Sequence, residues 1–355
     1  MSRRIQALRE VLRELELHGL LVTKPQHWQY FSGFTGTNAV LLMTRDDNLL
    51  VTDFRYIEQA SEEAPDFRIV RPFALVEDAV ADEVTKLGLK RIGFEDEDVT
   101  FRTYSMYKGK LAGLELVPLG QALEKIRWVK DQNEIDALKR AAEITDKAFE
   151  HILDYIRPGA QESQIALELE YFMRKEGAQK PAFDIIVASG PRAALPHGVA
   201  SDRVITAGEL VVLDFGALYK GYHADMTRTV IIGKPDAKQR EIYDLVLRSQ
   251  EKAIETIRPG VKCSVIDLAA RDMITVAGYG ANFGHGLGHS VGLEIHEKPS
   301  FTPKDETVLE PGMVITVEPG VYLSGWGGVR IEDLVVVTSD GCEVLSKSPK
   351  HLIEL

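Results

Sequence analysis

Apolar and polar positions change rhythm twice along this chain. Over residues 1–125, helical and strand periods alternate. Ile5, Leu8, Leu12, Leu15 and Leu17 recur at helical spacing and predict an opening amphipathic helix. Gly19-Leu20-Leu21-Val22-Thr23, Ala39–Met43 and Leu49–Thr52 read as strands, the last two joined by the polar turn Arg45-Asp46-Asp47-Asn48. Helices around Ala60 and over Val76–Leu87, with a strand at Arg91–Phe94, continue the alternation expected of a three-layer α/β domain. Near Ile126–Asp131 the pattern shifts. Glu134–Ile156 predicts a long amphipathic helix closed by Arg157-Pro158-Gly159, and Glu162–Glu176 a second ended by Gly177. A domain boundary is therefore expected at about residue 128, giving domains 1–127 and 128–355.

The remainder is strand-rich. Ile185–Ala188, Leu210–Phe215, Thr229–Ile232, Met313–Val317 and Val329–Val337 read as strands between Gly, Pro and Asp turns, interrupted by helices at Gln239–Ile257 and Val265–Ala277. This order predicts an α+β domain, a curved antiparallel sheet backed by helices.

Those strands carry unusual side chains. Asp214 ends Leu-Val-Val-Leu-Asp-Phe-Gly, Asp225 lies in His-Ala-Asp-Met-Thr-Arg-Thr-Val, Glu318 precedes Pro-Gly, and Glu332 sits two residues after Arg330 in an apolar run. A hairpin would bring Asp214 and Asp225 together. Taken singly, Asp214 and Asp225 each read equally well as a strand-end turn residue, Glu318 has a lesser reading as a solvated strand-end acid, and Arg330–Glu332 one as an ion pair. Together they need a compensating cation, because unpaired buried carboxylates cost several kcal/mol each. His285, His289 and His296 fall within twelve residues, in Gly-His-Gly-Leu-Gly-His and the stretch after it. The glycines disfavour a helical zinc pair, at about 1 kcal/mol each in a helix interior. In an extended segment His285 and His289 share a face, and the glycines admit close backbone or ligand approach. Thr227, two residues after Asp225, is positioned to orient that carboxylate.

Four carboxylates and an imidazole suit a pair of hard or borderline divalent ions better than one structural zinc. Such a pair, about 3.5–4 Å apart, brings the pKa of a shared water to about 7, and no covalent nucleophile is needed. No G-x-S-x-G or Walker A sequence competes. A metal-dependent hydrolase is the expected class.

Composition changes this picture little. Lys+Arg 42 against Asp+Glu 54 leaves −12, which argues against a nucleic-acid partner. Cys263 and Cys342 lack CxxC spacing, so a disulfide framework or thiolate metal site is not indicated. The N-terminal segment reads as an amphipathic helix and not a signal peptide, and no apolar run reaches membrane-spanning length. A cytoplasmic protein is expected.

Asp214…Asp225-Met-Thr-Arg-Thr, His285-Gly-Leu-Gly-His289…His296-Glu, Glu318-Pro-Gly and Arg330-Ile-Glu332-Asp resemble the proline-specific metallopeptidases, aminopeptidase P and Xaa-Pro dipeptidase (prolidase), of the pita-bread fold. Tyr30-Phe31-Ser32-Gly33-Phe34-Thr35-Gly36 and Thr52-Asp53-Phe54-Arg55-Tyr56 resemble their creatinase-type N-terminal domain. The resemblance implies that Asp214 holds one metal, His289 and Glu318 the other, and that Asp225 and Glu332 bridge the two. Glu318 would also shuttle a proton of the bridging hydroxide. It further implies that His197 and His296 bind the scissile carbonyl and that His285 and Arg330 line the proline side. The family usually uses Mn²⁺ or Co²⁺, sometimes Zn²⁺, and is commonly a homodimer. Where some prolidases carry an arginine that holds a dipeptide's free carboxylate, this chain has His296-Glu-Lys298-Pro-Ser300, with Lys298 a candidate substitute. The expected activity is that of an aminopeptidase P on Xaa-Pro peptides, with prolidase as the alternative. A non-catalytic peptide-binding module of the same fold is a more remote one.

Overall fold

The computed structural model describes residues 3–355. The chain divides into two compact units, Met1–Arg127 and Trp128–Leu355.

In the first unit six strands form one mixed sheet: β1 Gly19–Val22, β2 Val40–Thr44, β3 Asn48–Val51, β4 Arg68–Val70, β5 Arg91–Phe94 and β6 Glu115–Pro118, in the order β4-β3-β2-β1-β5-β6. β1 to β3 pair antiparallel, and the outer strands join in parallel. The inner strands are continuously apolar because their residues are buried on both faces. β4 and β6, at the two edges, carry Arg68 and Glu115 and have too little alternation to stand out in the sequence.

In the second unit the helix Gln132–Ile152 begins at Asp131, whose side chain accepts the Glu134 N–H while Glu134 reaches back, a capping box. The strands are β7 Lys180–Pro181, β8 Ile186–Ser189, β9 Leu210–Phe215, β10 Ala217–Tyr219, β11 Tyr222–His223, β12 Met226–Ile231, β13 Gly288–Ser290, β14 Glu297–Phe301, β15 Val314–Val317, β16 Gly320–Leu323, β17 Gly327–Arg330, β18 Asp333–Val337, β19 Cys342–Val344 and β20 Ile353–Glu354. Two sheets matter here, β20-β12-β9-β8 and β14-β13-β15-β18-β19, antiparallel except for the β12–β20 pair. Helices Gln132–Ile152 and Glu162–Lys175 pack their apolar stripes on the first sheet. Helices Ala237–Thr256 and Cys263–Val276 cover the second.

One expected strand is two. The run Val329–Val337 breaks at Ile331-Glu332, and its halves belong to different sheets: β17 pairs with β16, β18 with β15. The opposite strand breaks at the same level, at Glu318-Pro319, where proline has no N–H to give. The freed donors turn sideways. Glu318 N–H goes to Leu287 O at 2.8 Å and Glu332 N–H to Thr227 O at 3.1 Å. The break thus presents both glutamates to β12 and to the segment ahead of β13.

Candidate active site

Nine of the residues singled out by sequence line one cleft of about 890 Å³ in the second unit: His197, Asp214, Asp225, His285, His289, His296, Glu318, Arg330 and Glu332. Lys298 does not; it is exposed, outside the lining residues.

Asp214 is the fifth residue of β9, and Asp225 immediately precedes β12. Carboxylate oxygens of Asp214, Asp225 and Glu332 all lie within 4.8 Å of one another, and all three residues are buried. His289 closes the group from β13, with Nε2 3.5 Å from Asp225 and 3.4 Å from Glu318. Two glycines permit this crowding. A Cβ at Gly288 would collide with the Thr316 carbonyl, and one at Gly216 with that of Ala224.

The electrostatics demand a cation. Burial, with Glu332 and Asp214 adding repulsion, pushes Asp225 far above the usual carboxylate range. Glu332 rises likewise through burial and the charges of Glu318 and Asp214. Burial takes Glu318 to about 8 and raises Asp214 despite the neighbouring Arg330. Asp214 Oδ1 and Glu332 Oε1 are buried without a hydrogen-bond partner. His289 Nδ1 lies 3.1 Å from Ser290 O, so the tautomer that donates there leaves a lone pair on Nε2, facing two carboxylates. Burial lowers its pKa to about 4, so a proton does not fill that gap at neutral pH. Orphaned oxygens and an inward-facing imidazole lone pair fit divalent metal.

Hydroxyls orient the carboxylates. Thr227 Oγ1 donates to Glu332 Oε2 at 2.6 Å, not to Asp225 as its spacing suggested. The reason is the register: Thr227 stands opposite Asp214, and Glu332 lies beside Thr227 through its N–H. Thr316 Oγ1 accepts the His289 N–H at 3.0 Å and is 3.2 Å from Glu318. Arg330 is buried and makes four hydrogen bonds: Nε to Thr227 Oγ1, Nη1 to Tyr322 OH and Pro196 O, Nη2 to Asp214 at 2.5 Å. Tyr322 OH also lies 3.0 Å from His285 Nε2, and burial takes His285 to about 4. Tyr322 and Thr316 were not found from sequence. Their only signal is distance from Glu318, four residues after and two before. His197 and His296 stand exposed at the cleft.

Two protein-family models match the chain: Creatinase/Prolidase N-terminal domain over residues 4–129 and Metallopeptidase family M24 over residues 136–339. An Xaa-Pro dipeptidase from Bacillus anthracis is 49% identical, with a TM-score of 0.97 over 99% of this chain and 99% of that one. The crystal structure of an X-Pro aminopeptidase from Thermotoga maritima MSB8 is 39% identical, with a TM-score of 0.91 over 98% and 100%. An Xaa-Pro dipeptidase of Pyrococcus furiosus is 40% identical over 357 residues, 99% of this chain and 100% of its own length. The chain belongs to metallopeptidase family M24. It is accordingly a hydrolase served by divalent metal, with the pita-bread fold preceded by a creatinase-type N-terminal domain.

Proposed function

We propose that this metallopeptidase hydrolyses the bond between an N-terminal residue and a following proline. The observation that carries the reading is the cleft that gathers four carboxylates and one imidazole, two of the carboxylates each with a buried oxygen that has no partner. The kinship with Xaa-Pro dipeptidases and an X-Pro aminopeptidase supplies the substrate class.

Asp214, Asp225, His289, Glu318 and Glu332 would hold two divalent ions, with Mn²⁺ or Co²⁺ favoured over Zn²⁺. When bound, they supply Lewis acidity and a water acidified to about neutrality. Glu318, at the edge of the carboxylate cluster with Thr316 Oγ1 3.2 Å from its Oε1, is the group placed to take and return a proton of that water. His197 and His296 offer imidazole N–H groups to the charge that grows on the scissile carbonyl. His285 and Arg330, linked through Tyr322, form a fixed wall against which the pyrrolidine ring packs. A bond to proline has no N–H for a general peptidase to hold, so recognition must come from shape. A homodimer in the cytoplasm belongs to the same reading.

Among the described residues lining the cleft, Arg330 is the only lysine or arginine, and it is buried with four of its five N–H donors engaged inside the protein. A dipeptide's free carboxylate finds no such partner there, which favours Xaa-Pro-Yaa peptides and the aminopeptidase reading. The name of the Bacillus anthracis relative favours the dipeptidase reading. Rates on Ala-Pro and Ala-Pro-Ala, measured in parallel with Mn²⁺, Co²⁺ and Zn²⁺, separate the two. Failure on every Xaa-Pro substrate with every metal would remove both. Metal analysis of the wild type and Asp225→Asn tests the ligand set, with about two ions expected to fall on substitution.

A further inference from the structure

His197 is carried on a loop that has no regular structure of its own beyond the short turn Gly190–Ala194. An irregular segment at an open cleft loses little by moving, so something must hold it if its imidazole is to meet a substrate. The holding groups lie outside the cleft. Glu162, at the first turn of the helix Glu162–Lys175, is completely buried. Its Oε1 accepts the Ser189 N–H at 2.8 Å and the Ser189 hydroxyl at 2.7 Å. Its Oε2 accepts the Ser201 hydroxyl at 2.6 Å and the Ser201 N–H at 3.2 Å. One carboxylate therefore ties together the two stems of the loop, eight residues before His197 and four after it.

The fifth partner of Glu162 is the Arg192 guanidinium, which pairs with it through Nη1. Arg192 does not stop there. Its Nη2 donates to Val199 O at 2.7 Å, and the Val199 N–H in turn donates to His197 O at 2.9 Å. On the other side of His197, Pro196 O accepts from Arg330 Nη1 at 3.1 Å. His197 thus sits between two carbonyls, each held by a guanidinium. Arg330 ties one to the carboxylate cluster, and Arg192 ties the other to a buried carboxylate. Gly198 adds to the constraint, since a Cβ there would come within 2.9 Å of the Ala188 side chain.

We propose that Glu162 and Arg192 act as one clamp that sets the position of His197 for the reaction. Both are positioning residues, and neither lines the cleft. The inference rests on the role given to His197 above. It adds that this role is exercised through an ion pair outside the cleft, between the buried Glu162 and the half-buried Arg192.

Arg192→Lys is the discriminating variant. It keeps a cation beside Glu162 but gives up the fork that reaches Val199 O. In the metal-loaded full chain with Ala-Pro-Ala, kcat should fall between about 10- and 100-fold, with KM changed by less than about threefold. Amide exchange across residues 190–203 should quicken while the strands around it stay protected. Glu162→Gln, which exchanges one accepting oxygen for a donor, should behave alike. The decisive measurement is the double variant: Arg192→Lys should cost nothing further in a His197→Ala background, because there is no imidazole left to position. Equal losses in both backgrounds would overturn the proposal, as would faster loop exchange with unchanged kcat. If His197→Ala alone leaves kcat intact, the role assigned to His197 falls and the clamp's catalytic meaning falls with it; loss of all Xaa-Pro hydrolysis in the wild type instead removes the substrate reading.

Discussion

Arg330 Nη2 lies 2.5 Å from Asp214 Oδ2, the carboxylate whose other oxygen has no partner. One oxygen is thus answered by the protein and the other by none of its donors. Arg330→Lys keeps the charge but cannot serve Thr227, Tyr322 and Pro196 at once. It should lose at least about tenfold in kcat/KM, the equivalent of roughly 1.4 kcal/mol. Arg330→Met leaves Asp214 buried and unpaired, and should lower the stability of metal-free protein by about 3–5 kcal/mol in urea unfolding.

Thr227→Val removes the hydroxyl that holds Glu332 Oε2 and that accepts from Arg330 Nε, while keeping the volume. Metal affinity or activity should drop by about 10–100-fold, measured by metal titration against kcat. Thr227→Ser should retain most of both. A loss confined to Asp225-dependent binding would contradict the observed hydrogen bond.

Tyr322→Phe cuts the link between Arg330 and His285 without opening a cavity. The buried Arg330 and the half-buried His285 each lose a bond, a cost of about 1–3 kcal/mol. The expected result is a fall in kcat/KM on Xaa-Pro substrates with metal content unchanged, checked by elemental analysis of the same sample.

Metal removal should make stability depend on pH in an uncommon sense. The carboxyls of Asp214, Asp225, Glu318 and Glu332 all lie higher in the folded protein than in the unfolded chain, Glu318 near 8. Between the unfolded carboxylate range and these values, the folded state binds more protons, so metal-free stability falls as pH rises. Below about pH 6.5 the depressed imidazoles of His285 and His289 act in the opposite sense, so the downward shift in melting of chelator-treated protein should appear from about pH 7 to about pH 8, and added Mn²⁺ should remove most of it. Metal binding at about pH 7 should release protons, seen as calorimetric heats that vary with the buffer's ionisation enthalpy.

The candidate ligand residues were legible because charge in an apolar run is costly and so stands out. Asp214 after Leu-Val-Val-Leu needed no structure to be noticed. The break beside Glu332 was hidden for the converse reason. Val-Arg-Ile-Glu-Asp-Leu-Val-Val-Val has strand propensity throughout, and its interruption is dictated by Pro319 on the facing strand, twelve to thirteen residues away in sequence. Thr227 was noticed but given the wrong carboxylate, since same-face spacing along a strand says nothing about a neighbour delivered by another sheet. Glu162 and Arg192 gave no signal at all. An acid at the first turn of a helix is what the helix dipole alone would favour, and the burial that marks Glu162 as different exists only in three dimensions.

The interruption at Glu318-Pro319 and Ile331-Glu332 makes the cleft a seam where one ribbon passes from one sheet to another. A seam lined with like charges pulls apart unless something bridges it. Ions bound there act on the whole unit by mass action, adding about 2.7 kcal/mol at a hundredfold excess over Kd. The amount of folded enzyme in a cell, and not only its turnover, would then rise and fall with the supply of free metal.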